Sequence, residues 1–443
     1  MNRLKLWRAF ALIASMALVL AVAACGDDDD DDGGGGGPSE EAATASFDLT
    51  IGGIFPLTGD LSQFGPTGQN ALELAVKEAS NAAKEAGAEI TVEGAVEDDE
   101  TNPQSGQQAA TKLVSDGASC LVAAYASGVT IPVAESVSSR QSIPQISPAS
   151  TAASITELED NGFMFRTAPS DALQAQVLAD AVEQDLGGTD FTLSLAARND
   201  PYGDGLINAF KAAWEEKGGQ TTEGSPVVYD PEQASFNSEA DQILSGNPDA
   251  YVIVDFEDPY AKVGAALVRS GDFDGTKLFT ADGLAFGTPI SRTTVPEQAL
   301  DGARGTRPVS PEETTAAKAF DALVEESGVD RNTFDAQTFD AGILCFLGAV
   351  AAGSNEGEQI KDQLQAVSSA PGTKFTWEQL PQAVEALRNG EDIDYEGVSG
   401  PIDFDENGDP TAALYEVWEY ENGRLNVTDS VDVGGGGGGG GEE

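Results

Sequence analysis

Residues 49–96 read LTIGGIFPLTGDLSQFGPTGQNALELAVKEASNAAKEAGAEITVEGAV. Leu49 to Phe55 is a short apolar run ending at a proline, which predicts a buried strand. Asn70 to Ala86 carries Leu72, Val76, Ala79 and Ala83 on one helical face, with Gly87 placed to cap the C-terminus. Ile90 to Val96 is the next strand. A strand, an amphipathic helix and a second strand at this spacing make a βαβ unit, and such units build parallel sheets covered on both faces.

The rhythm continues outward from this stretch. Asn102-Pro103 opens a helix through Val114, Cys120 to Ala124 is a strand and Thr130 to Arg140 a helix. After Phe163 to Ala168 the alternation restarts, with helices predicted over 173–183, 206–217, 237–244 and 261–270. Strands are predicted between them over 191–196, 227–229 and 251–254. Two runs of βα units imply an α/β fold of two Rossmann-like lobes. Pro311 to Asn389 reads as mostly helical. From Ser399 the pattern turns to hairpins, with Asn407-Gly408 and Asn422-Gly423 as turn signals around an alternating segment from Leu414 to Tyr420.

The N-terminus has a different character. Arg3, Lys5 and Arg8 precede an apolar run from Phe10 to Ala24, then Cys25, Gly26, Asp27 to Asp32 and Gly33 to Gly37. The run of about 15 residues is shorter than the roughly 20 that span a bilayer. It reads as a secretory signal peptide over residues 1–24. Val22-Ala23-Ala24-Cys25 resembles a bacterial lipobox, which implies a lipidated Cys25 and an exported, membrane-tethered protein. Residues 25–46 read as an acidic, glycine-rich tether spanning about 25 Å as a flexible coil. Residues 431–443 read as a disordered tail.

Composition excludes several classes. The net charge of −52 repels phosphate backbones, so nucleic acid is not an expected partner. The chain contains no histidine, which removes the usual base of serine and cysteine hydrolases and the commonest zinc ligand. Asp403, Asp405 and Asn407 resemble the start of a calcium loop, but Leu414 stands where its closing glutamate would be. Glu97, Asp98 and Asp99 are consecutive on a strand end and point to alternate faces, so they do not flank one glycosidic bond. Neither a catalytic constellation nor a cofactor or metal site is expected. Cys120 and Cys345 lie in apolar stretches, as two buried thiols or as a bridge.

Several segments together resemble the extracytoplasmic solute-binding proteins of ABC importers, in the subfamily of the leucine/isoleucine/valine-binding proteins. They are Ile51-Gly52-Gly53-Ile54-Phe55-Pro56-Leu57-Thr58-Gly59 with Phe64-Gly65, Glu97-Asp98-Asp99 before Asn102-Pro103, and Ile146-Ser147-Pro148-Ala149-Ser150-Thr151. Tyr202-Gly203-Asp204-Gly205 and Gly400-Pro401-Ile402-Asp403-Phe404 complete the set. The resemblance implies a type I periplasmic binding protein: two lobes joined by three crossings, closing on a ligand. The crossings fall near Thr167, Gly305 and Ser399, giving lobe 1 from 47–167 and 306–398 and lobe 2 from 168–305 and 399–430.

By motif, Ser127, Ala149, Ser150 and Thr151 match the loops that hold a ligand's carboxylate and ammonium in the first lobe. Tyr202 matches the tyrosine that closes the second lobe, and Asp282 the acid that pairs the α-ammonium. Phe256 and Phe64 stand where the family often has tyrosine, leaving a more apolar pocket. Asp255 or Glu257 would replace Phe256 there if the register slipped by one. Read without the resemblance, Ser127 and Thr151 are N-caps, Tyr202 a core aromatic and Asp282 a turn residue. The implied function is capture of a small zwitterion, a branched-chain or other apolar amino acid, and its delivery to a membrane permease by a monomeric lipoprotein. A sensing receptor of the same fold, or a binder of amides, urea or aromatic acids, is the alternative.

Overall fold

The computed structural model describes residues 45–434. Cys25, the stretch 1–24 expected to be a signal peptide, and most of the segments expected to be a tether and a tail lie outside the described residues.

The first lobe is built on β1 (Ser46–Phe55), β2 (Glu89–Asp98), β3 (Ala118–Val122), β4 (Gln145–Ser147) and β5 (Met164–Arg166). They form one parallel sheet in the order β2-β1-β3-β4-β5. Ile51 to Phe55 are buried one after another, so both faces of β1 are covered, the environment of a central parallel strand. A β-carbon on Gly53 would stand 2.5 Å from Leu72 Cδ2 of α1 (Gly65–Glu85). The bare glycine lets α1 pack tightly on the strand. α1 begins before the expected Asn70, because Pro66 suits a first helical turn. α2 (Pro103–Ser115) is capped by the Asn102 side chain, which accepts from the Gln104 and Ser105 amides. The helix expected over 130–140 starts earlier and is broken. α3 (Ser127–Val133) contains Pro132 and passes through a π-turn into α4 (Ser139–Gln141).

The chain then crosses to α5 (Asp171–Leu186) and the second sheet, made of β6 (Thr192–Arg198), β7 (Gln220–Thr221), β8 (Val227–Tyr229), β9 (Ala250–Val254), β10 (Leu278–Thr280) and β11 (Arg304–Val309). These strands pair in parallel, with α6 (Pro201–Glu216), α7 (Asn237–Ile243), α8 (Glu257–Ser270) and α9 (Glu297–Leu300) between them. β11 stays in this sheet to Val309, so the second crossing falls after Val309 rather than at Gly305.

α10 (Thr315–Ser327), α11 (Asp335–Ala352), α12 (Gly357–Ser368) and α13 (Leu380–Arg388) return to the first lobe, with a two-stranded pair of β12 (Thr373–Phe375) and β13 (Ile393–Tyr395). α11 is buried from Asp335 to Ala351 and packs on α1, β1 and β3. Its Cys345 is bonded to Cys120 of β3, with the Cα atoms 5.9 Å apart, so the two cysteines form a bridge rather than two free thiols. The final crossing also falls later than Ser399. Residues up to Asp409 remain on the edge of the first sheet, where the Arg166 amide donates to Gly408 O. Asn407-Gly408 is therefore a tight turn held against β5, closed by a single antiparallel bridge between Phe404 and Pro410 rather than by two extended strands.

β14 (Ala413–Glu421) pairs antiparallel with β11, and β15 (Arg424–Val433) antiparallel with β14, completing the second sheet. Asn422 and Gly423 have φ of 53° and 70°, the left-handed pair that a two-residue hairpin turn requires. β15 runs to Val433, past the 430 expected for the end of the lobe, because it pairs with β14 along its whole length.

Candidate ligand-binding site

Loops at the C-terminal ends of both sheets meet across a narrow, nearly closed cleft of about 20 Å³. Ser127 begins α3, and Ala149 and Thr151 follow β4. Tyr202 lies in the first turn of α6, Phe256 precedes α8, and Asp282 and Gly283 follow β10. All of them line the cleft, with Phe64, Leu61, Tyr125 and Phe334.

The lining divides by chemistry. Phe64, Tyr125 and Phe334 form an aromatic end with ring centroids 6.3 to 6.4 Å apart, and Leu61 joins them. The Tyr125 hydroxyl is bonded to Thr338 Oγ1 at 2.7 Å, so Tyr125 is fixed from α11. At the other end stand the hydroxyls of Ser127 and Thr151 from the first lobe and Tyr202 and Asp282 from the second. Tyr202 donates to Asp282 Oδ1 at 3.1 Å, and Gln174 Nε2 donates to the same oxygen at 2.9 Å. Burial raises the Asp282 pKa to about 6, even though both hydrogen bonds favour the anion. No residue lining the cleft is basic.

Phe256 stacks on Tyr202 with centroids 5.1 Å apart, and the Arg198 guanidinium lies 3.8 Å from the Phe256 centroid. Arg198 also bonds Asp200 at 2.6 Å and reaches Asp60 of the first lobe at 3.4 Å, across the cleft. The one-residue slip does not occur. Asp255 points away from the cleft, accepting from the Tyr229 hydroxyl at 2.6 Å and the Phe256 amide at 2.8 Å. Glu257 is partly exposed and accepts from the Thr294 amide.

Ser150 is the exception among the expected site residues. Its hydroxyl is turned into the first lobe, bonded to Thr130 Oγ1 at 2.7 Å and to the carbonyls of Ala124 and Tyr125. It braces the loop and does not line the cleft.

Sequence reasoning passed over Tyr125, Phe334, Leu61 and Gly283, and also the residue that holds the Thr151 loop. Arg166 is fully buried and bonds Asp409 through both oxygens, at 2.5 and 2.8 Å. It also donates to Ala152 O at 3.0 Å and Thr156 Oγ1 at 2.8 Å. The available signal was an arginine in the apolar run Phe163 to Arg166, where only a buried ion pair makes sense.

A two-lobed α/β body whose strand-end loops close on a small cleft lined from both sides has a counterpart among known proteins. Residues 48–417 match the model of the periplasmic binding protein family. The chain belongs to that family. It is 27% identical over 392 residues to Leu/Ile/Val-binding protein homolog 3 of Brucella melitensis, covering 87% of this chain and 94% of that one. The crystal structure of leucine-binding protein LivK from Thermotoga maritima superposes with a TM-score of 0.70 at 22% identity, over 86% of this chain and 98% of that one. A solute-binding protein of an ABC transporter from Rhodopseudomonas palustris, in complex with p-hydroxybenzoic acid, has a TM-score of 0.67 at 19% identity, covering 88% and 98%. The type I two-lobe architecture is thus shared, and this periplasmic binding protein is a substrate-binding component.

Proposed function

We propose that this periplasmic binding protein captures an apolar α-amino acid, a branched-chain one by preference, and delivers it to an ABC permease. One observation carries the reading: a buried, uncompensated carboxylate, Asp282, faces hydroxyls across a cleft whose other end is aromatic and aliphatic. A zwitterion satisfies both halves. Its ammonium pairs Asp282, its carboxylate accepts from Ser127 and Thr151, and its side chain fills the space between Phe64, Tyr125 and Phe334. Only the closed form makes both sets of contacts, so the ligand shifts the lobes toward closure. Aromatic acids, the ligand type in the Rhodopseudomonas structure, bring a negative charge and no ammonium to a cleft without a basic lining residue.

Lipidation at Cys25 would keep the monomer tethered at the outer face of the cytoplasmic membrane, within reach of its permease. In cells, Cys25→Ala should move the protein from the membrane fraction to the soluble one. The ligand reading is tested on refolded full-length chain by calorimetry with leucine, isoleucine, valine, phenylalanine, benzoate, urea and small amides. Saturable binding of the first four supports it, and binding confined to benzoate, urea or amides sinks it.

A further inference from the structure

Arg198, the last residue of β6, has a nearly buried guanidinium with three carboxylates about it. Asp200 accepts from Nε at 2.6 Å, and Asp255 Oδ1 stands 3.8 Å from Nη1. Asp60 Oδ2 lies 3.4 and 3.5 Å from Nη1 and Nη2. Among the described residues, no other lysine or arginine forms an ion pair with any of the three acids. One cation thus faces three anions.

The three differ in origin. Asp200 and Asp255 belong to the second lobe and are built into it. Asp200 also caps α6, accepting from the Gly203 amide at 2.8 Å, and Asp255 accepts from the Tyr229 hydroxyl and the Phe256 amide. They accompany Arg198 whether the lobes are open or closed. Asp60 comes from the first lobe, in the loop between β1 and α1 that also carries Leu61 and Phe64 of the cleft lining. Its carboxylate makes no other hydrogen bond or ion pair among the described residues. Separating the lobes returns it to water.

Taking a carboxylate out of water costs free energy, which a cation offsets only through short bonds and without competing anions. Asp60 receives two long contacts from a guanidinium whose short bond is already taken by Asp200, with Asp255 of like charge beside it. Asp258 of α8 adds a further like charge, and Lys262 an opposite one. Burial accordingly lifts the Asp60 carboxyl above its ordinary value in spite of Arg198. At this point the meeting of the lobes opposes closure.

We propose that Asp60 is a brake on closure: as the third carboxylate at Arg198 it biases the ligand-free protein toward the open form, and ligand binding has to overcome it. The proposal rests on ligand-driven closure as read above, and not on which ligand drives it. A molecule that bridges the lobes weakly leaves them open, so the closed form is reserved for the well-matched ligand, and the same brake hastens opening at release.

The test compares wild type, Asp60→Asn and Asp60→Ala as full-length chains, with leucine affinity and dissociation rate measured at pH 8. That pH lies above the value of about 7 to which burial raises Asp255, so all three acids are charged. Asparagine keeps an acceptor for Arg198 and removes the charge. Both variants should bind leucine about threefold tighter or more, with the gain in slower dissociation. Weaker binding in both would make the pair a latch and overturn the proposal, and unchanged affinity overturns it too. If no apolar amino acid binds, the ligand reading falls on its own, and small-angle scattering of the ligand-free proteins decides the brake. A smaller radius of gyration in Asp60→Asn than in wild type sustains it, and an equal or larger one overturns it.

Discussion

At the scale of single residues, two charged groups do different work. Asp282 is held by Gln174 and Tyr202 and raised to about 6 by burial. Ammonium binding favours its anionic form, so affinity for leucine should fall as pH drops through about 6. At pH 8, Asp282→Asn should weaken leucine binding by about 2 kcal/mol or more, as for a desolvated charge pair losing one member. At pH 5 the same substitution should matter less, because the wild-type carboxyl is then largely protonated. Equal affinities of variant and wild type at pH 8 would remove Asp282 from the site. Arg166 acts through structure. Its replacement by methionine leaves Asp409 buried without a cation and should cost about 3–5 kcal/mol of stability, read as a lower denaturant midpoint. If Arg166→Met unfolds like the wild type, the Thr151 loop is held by something else.

At the scale of elements, the bridge between β3 and α11 ties the sheet centre to its most buried helix across 225 residues of sequence. Closing a loop that long removes chain entropy from the unfolded state by up to about 5 kcal/mol in the loop-entropy account. Cys120→Ala with Cys345→Ala should therefore lower the melting temperature by several degrees, whereas a reductant should act slowly because both sulfurs are buried. Fast loss of stability on adding reductant to the native protein would contradict that burial. α11 also carries Thr338, which fixes Tyr125, so the double variant is expected to loosen the aromatic end of the cleft as well.

At the scale of the whole molecule, an excess of acids dominates. Several carboxyls are buried with pKa values raised by desolvation: Asp99 and Asp255 to about 7, and Asp282 to about 6. A carboxyl whose pKa is higher folded than unfolded holds its proton more firmly in the native state. Its contribution to stability is complete below about pH 4 and is lost as pH rises through the folded value. The ligand-free protein should therefore melt at a lower temperature at pH 8 than at pH 5.5, and the surface repulsion of a −52 chain acts in the same direction. Added salt should narrow the gap by screening the surface part alone. A melting temperature that climbs from pH 5.5 to 8 without ligand would show that these carboxyls are not desolvated.

The sequence alone determined the alternation of strands and helices and the loops that carry Ser127, Thr151, Tyr202 and Asp282. Those properties are local: periodicity reports which positions are buried, and short motifs report loop chemistry at strand ends. Register between distant segments is not local, and only the tertiary structure decided it. It turned Ser150 inward beside Ser127 and Thr151, brought Phe334 across to Tyr125, paired Cys120 with Cys345 and moved two crossings past Gly305 and Ser399. Each of these depends on where the chain passes between lobes, and therefore on contacts formed between residues far apart in the sequence.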